Sequence, residues 1–355
     1  MYKNLLNCLA LVMLLPSCSG VTPHISVVCE ENNVGNCVVK WETAPLIEGN
    51  VKVYASTSPN RIPEENPVAM ANIADQRMTI VNSQPARRYY YTLLFNDKYR
   101  VKVAARNVHI PDIQNFRDLG GYPVYKNHKT VRWGMLYRSA EIDSLGYFSR
   151  RKLRNLGVKT IIDLRTPSET KQKAPLQKNF KVVHIPIGMG YMEDLLQDIR
   201  HHRVSNDTVR LMVEQMNRSL VNNYTKEYRA LFDILLDKSN YPVVIHCTSG
   251  KGRTGIVSAL VLSALGVDDD IIMDDYRLSN DYFNIPSASQ YAYQLPASSQ
   301  EAITTIFSAR ENFLNAAKEE AERNYGDVAT YLRKGIGLTK EEIKSLQEIL
   351  LANDE

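Results

Sequence analysis

The feature that most constrains this chain of 355 residues is a short glycine-containing loop between an apolar strand and an apolar helix. The strand is predicted at residues 243–246, where valine and isoleucine follow one another, and the helix at residues 254–265. Between them the sequence reads Cys-Thr-Ser-Gly-Lys-Gly-Arg. A buried strand that leads through so short a loop into a helix is typical of an α/β sheet, whose ligand site lies at the carboxyl ends of its strands.

The chain after about residue 107 repeats this alternation of strands and helices. Two further β-branched runs, at residues 158–164 and 182–187, predict buried strands of a sheet that is covered on both faces. Helices are predicted at residues 145–156, 195–200, 225–236, 301–324 and 340–351. We therefore expect residues 107–355 to form an α/β domain with a mainly parallel sheet flanked by helices.

Residues 18–106 have a different pattern, in which apolar side chains recur at every second position. This period appears at residues 37–41, 51–56 and 98–105 and predicts short antiparallel strands with one solvated face per sheet. The pattern indicates a small all-β sandwich domain that precedes the α/β domain. The segment at residues 37–45 resembles an early strand of a fibronectin type III or immunoglobulin-like module.

The first 17 residues have the pattern of a signal peptide. Lys3 precedes an apolar run at residues 5–15, which is too short to span a membrane comfortably. The following Leu-Pro-Ser-Cys, which ends at Cys18, resembles the lipobox of bacterial lipoproteins, and this resemblance implies a lipid on Cys18. We expect export from a bacterial cytoplasm and a lipid anchor in the cell envelope, with the protein facing the periplasm or the cell exterior. The alternative is an ordinary cleaved signal peptide in which Cys18 has no part.

Removal of a signal peptide at residues 1–17 leaves three cysteines besides Cys18. Cys29 and Cys37 could form a disulfide across neighbouring strands in an oxidising compartment, or remain two buried thiols. Cys247 would then be a free thiol, and it begins the loop described above.

The loop that begins at Cys247 has the composition of a phosphate-binding site. Gly250 and Gly252 allow the backbone to curl with its N–H groups inward, toward an anion at the helix N-terminus. Arg253 can hold two phosphate oxygens in a planar fork. The same positive field favours the thiolate of Cys247, and the hydroxyl of Thr254 can interact with its sulfur.

The other residues of the loop are predicted to contact the substrate. The amides of Thr248 and Ser249 belong to the phosphate cradle. Lys251 either steers phosphate into the site or is an ordinary exposed lysine. His246 either contacts the substrate or merely hydrogen-bonds the loop. The chemistry expected here requires no metal ion and no other cofactor.

The pattern His-Cys-x-x-Gly-x-Gly-Arg-Thr-Gly at residues 246–255 resembles the signature of the cysteine-dependent protein tyrosine phosphatases. Asn-Phe-Arg-Asp-Leu-Gly-Gly at residues 115–121 resembles a bacterial branch of that family, some of whose members are exported and accept both phosphotyrosine and phosphoinositides. Segments 136–141, 162–169 and 325–339 fit the same branch. The resemblance implies hydrolysis of phosphate monoesters, foremost protein phosphotyrosine with dual specificity as a variant, through a phosphocysteine intermediate at the loop cysteine.

One departure from that branch concerns the general acid. The branch often has Asp directly before the loop arginine, whereas this chain has Gly252, so the acid is sought at another strand end. Asp163 closes the strand predicted at residues 158–164 and is our candidate; a helix cap or a partner for Arg165 is the alternative role. In this scheme Arg165 and Glu169 form a supporting ion pair.

Further interpretations concern residues outside the loop and the classes of partner. Asn115, Arg117 and Asp118 are interpreted as loop scaffolding beside a tight turn. The His-His-Arg cluster at residues 201–203 lacks the spacing and the carboxylates of a metal site, and it is interpreted as a solvated patch on a helical lid. A net charge of +4 without a long Lys/Arg run argues against a nucleic-acid partner.

Two alternative functions stay open on the sequence alone. The enzyme could act on inositol phosphates or phosphoinositides, because Lys251 and a basic lid suit a polyanion, although Gly252 argues against it. In a different class, a lipid-anchored protein could bind phosphorylated ligands without turnover, while the sandwich recognises an unknown partner. Arsenate reduction ranks low, because it needs resolving thiols near the loop and the other cysteines are expected in the other domain. The substrate expected for the enzyme is a phosphorylated protein or a small phosphoester.

Overall fold

The computed structural model describes residues 22–32, 34–82, 84, 86–170, 180–285 and 294–353. The predicted signal peptide at residues 1–17 and the predicted lipidation site Cys18 lie outside the described residues. Within the described ranges, no helix combines the length and the apolar character that crossing a membrane requires.

The N-terminal part of the described chain consists of two antiparallel β-sheets. Its strands are β1 (His24–Glu31), β2 (Cys37–Ala44), β3 (Asn50–Ser56), β4 (Ala69–Asn72), β5 (Arg77–Ile80), β6 (Tyr90–Phe95) and β7 (Tyr99–Ala104). One sheet has the order β1-β2-β5 and the other the order β4-β3-β6-β7. Trp41 is buried in their common core, where its indole Nε1 donates to the Ile73 carbonyl over 2.7 Å. The predicted all-β sandwich is confirmed, and a disulfide joins Cys29 in β1 to Cys37 in β2.

The second part of the chain is built on a mainly parallel central sheet. The strands in this part are β8 (Arg117–Asp118), β9 (Pro123–Val124), β10 (Lys129–Val131), β11 (Leu136–Ser139), β12 (Thr160–Asp163), β13 (Lys181–His184), β14 (Val243–His246) and β15 (Leu351–Asn353). The central sheet has the order β13-β12-β14-β11-β8, in which β8 is antiparallel to its neighbour and the other pairs are parallel. Strands β9, β10 and β15 form a small antiparallel sheet. All residues of β14, at the centre, are buried.

Helices cover both faces of the central sheet. They are α1 (Tyr147–Asn155), α2 (Pro167–Thr170), α3 (Met192–Arg200), α4 (Asn206–Asn223), α5 (Thr225–Leu235), α6 (Gly252–Leu265), α7 (Asp269–Arg277), α8 (Ser279–Tyr282), α9 (Ala297–Phe307), α10 (Glu311–Tyr325), α11 (Val328–Thr330) and α12 (Lys340–Leu350). Val243 and Ile245 of β14 pack with α5 and α6 on one face, whereas Val244 packs with α1 on the other. The predicted fold class, an α/β domain with a mainly parallel sheet flanked by helices behind a small sandwich, is confirmed.

The single helix expected at residues 301–324 is in fact two helices, α9 and α10, so this expectation is wrong. Ser308 and Arg310, between them, both have extended backbone conformations. The Asn280 side chain of α8 donates to the Ala309 carbonyl over 3.1 Å and accepts from the Ala309 amide over 2.6 Å. A side chain from a distant helix therefore satisfies the backbone groups at the break, and local helix propensity is overridden by this tertiary contact.

A buried charged and aromatic cluster connects the two parts of the molecule. Arg88, which precedes β6, forms an ion pair of 2.7 Å with Asp118 of β8, and both side chains are almost completely excluded from water. The Arg88 guanidinium also lies over the rings of Tyr90, Trp133 and Tyr137. Since the partners come from both parts, sandwich and α/β domain share packed, buried structure at this point.

Candidate active site

Cys247 lies at the carboxyl end of the central strand, as the sequence predicts. β14 ends at His246 and α6 begins at Gly252, so the chain turns from strand into helix over residues 247–251. The thiol is buried, with 2% of the residue exposed. In the described part of the chain it is the cysteine that forms no disulfide.

Gly250 allows the loop to turn closely against the neighbouring strand. Its φ of +67° lies in the left-handed region, and a Cβ atom at this position would lie 2.3 Å from the carbonyl oxygen of Ser139. Any side chain would therefore overlap with the backbone of β11, and an L-residue would also be strained. This geometry explains why glycine stands at position 250.

Two side chains from the motif regions hold the loop carbonyls on the outside of the turn. Arg138 Nη2 donates to the Gly250 carbonyl over 2.8 Å. Asn115 Nδ2 donates to the carbonyls of Ser249 and Gly250, over 3.1 Å each. Because the N–H of a peptide unit points opposite to its C=O, the amides of Gly250 and Lys251 are turned to the inside. Inward amides are what an oxyanion site requires.

The surroundings of Cys247 favour the thiolate. Burial alone opposes ionisation, but Arg253, the hydroxyl and amide of Thr254 and the amide of Gly250 outweigh it and lower the pKa of the thiol below its ordinary value. Thr254 is itself buried in the first turn of α6. The site thus presents a sulfur whose nucleophilic form is stabilised.

Arg253 closes the loop and is held by Glu169. Its Nη1 and Nη2 donate to Oε2 and Oε1 of Glu169 over 2.8 and 2.7 Å, and Thr248 Oγ1 donates to Glu169 Oε1 over 2.6 Å. Burial opposes ionisation of this carboxyl, but the hydrogen bonds and charge of Arg253 lower the pKa of Glu169 to about 2. The expected ion pair between Arg165 and Glu169 is therefore wrong, because Glu169 is the partner of Arg253.

Asp163 pairs with His246 in the sheet, yet it is bound as a structural carboxylate. Its Oδ1 accepts from Arg165 Nε over 3.0 Å and its Oδ2 from Arg165 Nη2 over 2.9 Å. Burial opposes ionisation, but Arg165 and His246 together lower the pKa of Asp163 below its ordinary value. Because the Arg165 guanidinium binds both carboxylate oxygens, the geometry argues against Asp163 as the general acid. Its alternative role, as a partner for Arg165, describes the observed contacts.

His246 supports the loop from the side of the sheet. Its ring is buried, with Nε2 at 3.7 Å from Asp163 Oδ1 and Nδ1 at 3.4 Å from the Cys247 carbonyl oxygen. Burial, only partly offset by Asp163, lowers the pKa of His246 to about 4. The ring is therefore neutral at physiological pH. These contacts fit the second of its two expected roles, hydrogen bonding within the loop.

Lys251 is buried against α9. Its Nζ donates to the Ile306 carbonyl near the end of that helix. Burial is the main cause that lowers the pKa of Lys251 to about 7, with Cys247 opposing the shift and Arg310 adding to it. The alternative of an ordinary exposed lysine is wrong, because this side chain couples the phosphate loop to α9.

The remaining loop residues lie at the opening of the site. Thr248 is exposed and Ser249 half-buried. A methyl group placed on Gly252 would lie 3.7 Å from Cε of Met189. The segment that leads from β13 into α3 therefore passes beside the loop at this point.

Two further residues hold the site, although the sequence alone indicates no role for them. Arg138 lies within segment 136–141, which marks the family resemblance without indicating a function. Asp275 of α7 accepts from Arg117 Nε over 3.1 Å and from Arg138 Nη1 over 2.6 Å. Its neighbours along the chain include exposed aspartates, so the local sequence resembles a solvated helix face and gives no signal of burial.

No group of three or more His, Cys, Asp or Glu side chains in the described ranges has the arrangement of a metal site. In the His-His-Arg cluster, His202 Nδ1 lies 2.7 Å from Ser299 Oγ of α9. This contact connects the end of α3 to α9, while all three residues of the cluster are exposed, in agreement with the interpretation as a solvated patch.

Comparisons with known proteins find relatives of this chain among the phosphatases. A family model described as the tyrosine phosphatase family matches residues 108–352. The chain is 28% identical over 276 residues to the triple specificity protein phosphatase PtpB of Mycobacterium tuberculosis, a match that covers 68% of this chain and 98% of that protein. It is 29% identical over 230 residues to a Cupriavidus necator protein named as a putative tyrosine-protein phosphatase, with 63% of this chain and 82% of that protein covered. The core catalytic domain of the PP-IP phosphatase SIW14 from S. cerevisiae is similar at 18% identity and a TM-score of 0.27, over 52% of this chain and 87% of that chain.

A parallel sheet that delivers a buried cysteine into an arginine-closed loop of inward amides defines a phosphatase that hydrolyses phosphoesters. Because the family model matches more than half of its length, the chain belongs to the tyrosine phosphatase family.

Proposed function

We propose that this protein hydrolyses phosphate monoesters, foremost protein phosphotyrosine, through a phosphocysteine intermediate at Cys247. The observation that carries the proposal is the buried Cys247 thiol with its lowered pKa, in a loop that Arg253 closes. The names of the two relatives, a triple specificity protein phosphatase and a tyrosine-protein phosphatase, support protein substrates. They also support dual specificity as a variant of the same activity.

In the first step, the thiolate of Cys247 attacks phosphorus in line with the ester oxygen. The S–P bond forms while the P–O ester bond breaks, and the loop amides and Arg253 bind the three equatorial oxygens. Glu169 engages the edge of the guanidinium formed by Nη1 and Nη2. We therefore assign the other edge, formed by Nε and Nη2, to two phosphate oxygens.

The leaving oxygen takes up a proton as its bond to phosphorus breaks, and water then hydrolyses the S–P bond and releases inorganic phosphate. We assign the proton donor to the first turn of α3, where Glu193 and Asp194 are exposed. That helix follows the segment in which Met189 approaches Gly252. A movement of this segment toward the bound substrate would bring a carboxyl group to the leaving oxygen.

Replacement of the nucleophile tests the proposal. Cys247→Ser should reduce the turnover of p-nitrophenyl phosphate by more than about 10³-fold, because a serine hydroxyl lacks the ionisation on which the first step depends. The variant should still bind vanadate or inorganic phosphate, since the loop amides and Arg253 are unchanged. Retention of most of the turnover would rule out the mechanism.

Inositol phosphates and phosphoinositides are a second substrate class. The observation in their favour is that Arg310 lies close enough to Lys251 of the loop to affect it electrostatically. Rates on a phosphotyrosyl peptide and on an inositol polyphosphate distinguish the two classes. Inactivity of the wild-type protein on a panel of both would favour a protein that binds phosphorylated ligands without turnover.

We also propose that the sandwich is an immunoglobulin-like module that contacts a partner. A separate proposal is that the mature protein lies outside a bacterial cytoplasm and is lipid-anchored at Cys18. The lipobox-like sequence before Cys18 supports the anchor. Cys18→Ala should move the full-length protein from the detergent phase to the aqueous phase of a Triton X-114 extraction. If the wild-type protein and the variant were both found in the aqueous phase, that result would favour the ordinary cleaved signal peptide.

A further inference from the structure

A buried carboxylate behind the phosphate loop takes no part in the reaction as described. Asp275 in α7 is 1% exposed. Its Oδ1 accepts from Arg117 Nε over 3.1 Å and from the Tyr122 hydroxyl over 2.8 Å, and its Oδ2 accepts from Arg138 Nη1 over 2.6 Å. Both guanidiniums are fully buried. Asp275 thus fixes two cations that have no access to water.

Both arginines lead from Asp275 to the phosphate loop. Arg138 uses its second terminal nitrogen, Nη2, to donate to the Gly250 carbonyl over 2.8 Å. Arg117 Nη1 donates to Asn115 Oδ1, and Asn115 Nδ2 in turn donates to the carbonyls of residues 249 and 250. Both routes end on the Gly250 carbonyl, and the second route also reaches the Ser249 carbonyl.

The charges of this cluster depend on Asp275. Two buried guanidiniums repel each other, and burial together with repulsion from Arg117 lowers the pKa of Arg138 to about 10, while Asp275 opposes that shift. Burial of either cation without a partner is unfavourable. The carboxylate therefore offsets the repulsion between the two guanidiniums and holds them in fixed positions.

We propose that Asp275 is a positioning residue of the phosphate loop, which acts through Arg138 and through Arg117 and Asn115 to hold two loop carbonyls outward and so aim the following amides at phosphate and sulfur. This inference rests on the proposed function in one respect, the identity of the loop as the phosphate site. Asp275 itself touches neither the substrate nor the reacting atoms.

Two variants test this role by different routes. Asp275→Asn removes the charge, and Asn115→Gly removes the last donor without changing any charge; glycine also tolerates the φ of +56° found at residue 115. The measurements are the pH dependence of Cys247 alkylation by iodoacetamide and the inhibition constant of inorganic phosphate. In both variants we expect the alkylation midpoint to rise by about one pH unit and the affinity for phosphate to fall about tenfold, as lost amide stabilisation of an anion requires.

The direction in which the alkylation midpoint of Cys247 moves distinguishes misdirected amides from the change of charge. Asp275→Asn makes the cluster more positive, and this change alone would lower the alkylation midpoint. A rise therefore reports misdirected amides. Arg253 and Lys251, the two cations that interact with the sulfur, are unchanged in both variants.

Asp118→Asn is the matched control. Asp118 is another fully buried aspartate with an arginine partner, Arg88, and its remaining hydrogen bonds go to the amides of Gly120 and Gly134. Its replacement should lower the melting temperature but leave the alkylation midpoint and the phosphate constant within about twofold of wild type.

The inference is overturned if folded Asp275→Asn keeps the wild-type alkylation midpoint and phosphate constant while only its melting temperature falls. Should Asp275→Asn fail to fold, Asn115→Gly decides the question. Both measurements follow the thiol and the bound anion directly. A wild-type protein without turnover, in which the expected shifts are nevertheless seen, would refute the proposed function and leave this inference standing.

Discussion

At the scale of single residues, the pairing of Arg253 with Glu169 determines how the guanidinium meets phosphate. An arginine side chain has considerable rotational freedom, and a bidentate carboxylate removes it before the substrate arrives. The same carboxylate also accepts from the Thr248 hydroxyl. The loop and its arginine are thus fixed by one residue from α2.

Glu169→Gln should reduce kcat/KM for p-nitrophenyl phosphate about 10- to 100-fold, because the amide cannot accept both guanidinium bonds and Arg253 loses its orientation. The matched control is Glu342→Gln. Glu342 accepts from Nη1 and Nη2 of Arg229 over 2.8 and 2.6 Å, with the same bidentate geometry away from the site. Steady-state kinetics should show a lower kcat/KM in Glu169→Gln and a wild-type kcat/KM in Glu342→Gln. Equal kcat/KM values in the two variants would contradict the role of Glu169.

Glu169 also makes stability depend on pH in a defined window. Its pKa is lowered to about 2 from an ordinary value of 4.5. A depressed pKa means that the stabilisation is fully present above pH 4.5 and is lost as the pH falls toward 2. In urea titrations, Glu169→Gln should be less stable than wild type at about pH 6, and the two curves should converge near about pH 2. If the free energies of unfolding of the two proteins ran parallel over that pH range, the ion pair of Glu169 would not be the cause of the pH dependence.

At the scale of elements, the tight contact of the phosphate loop with β11 makes one glycine indispensable. In Gly250→Ala the new methyl group would lie 2.3 Å from the Ser139 carbonyl oxygen, so we expect activity to fall more than about 100-fold as the loop is displaced. Gly326→Ala is the control, because Gly326 also has a positive φ, +91°, but a Cβ atom there would meet no atom of the described chain within 4 Å. Gly326→Ala should lower the free energy of unfolding in urea by about 1 kcal/mol and retain activity. Similar activities of the two variants would contradict the steric explanation.

The strand, loop and helix around Cys247 can be predicted from the sequence because their signals are local. Apolar runs and glycines within residues 243–265 are sufficient to place the thiol at a strand end. The break between α9 and α10 has no such local signal, because Asn280 causes it from another helix. The pairing of Glu169 with Arg253 is equally hidden in the sequence, because the two residues are brought together by packing. The pairing of Asp163 with Arg165, two residues away, is one of the two roles that the sequence suggests.

At the scale of the whole molecule, the ion pair between Arg88 and Asp118 makes the sandwich part of the stability of the α/β domain. Arg88→Met would leave Asp118 buried without its cation, so we expect a loss of about 3–5 kcal/mol in the free energy of unfolding. Arg100→Met, which removes a pair with Glu64 at the solvent-exposed surface, should leave the free energy of unfolding almost unchanged, because solvent screens such a pair. Chemical denaturation of both variants measures these changes. Equal losses in the free energy of unfolding would show that the buried pair contributes no more to stability than the exposed one.

The disulfide between Cys29 and Cys37 has a consequence for how the enzyme withstands peroxide. With those two sulfurs already bonded to each other, the described part of the chain offers Cys247 no neighbouring thiol to trap its sulfenic acid. Oxidation of Cys247 can then proceed to the sulfinic and sulfonic acids, which thiol reductants cannot reduce back to the thiol. Damage of this kind is permanent, and an anion that occupies the loop shields the sulfur from it.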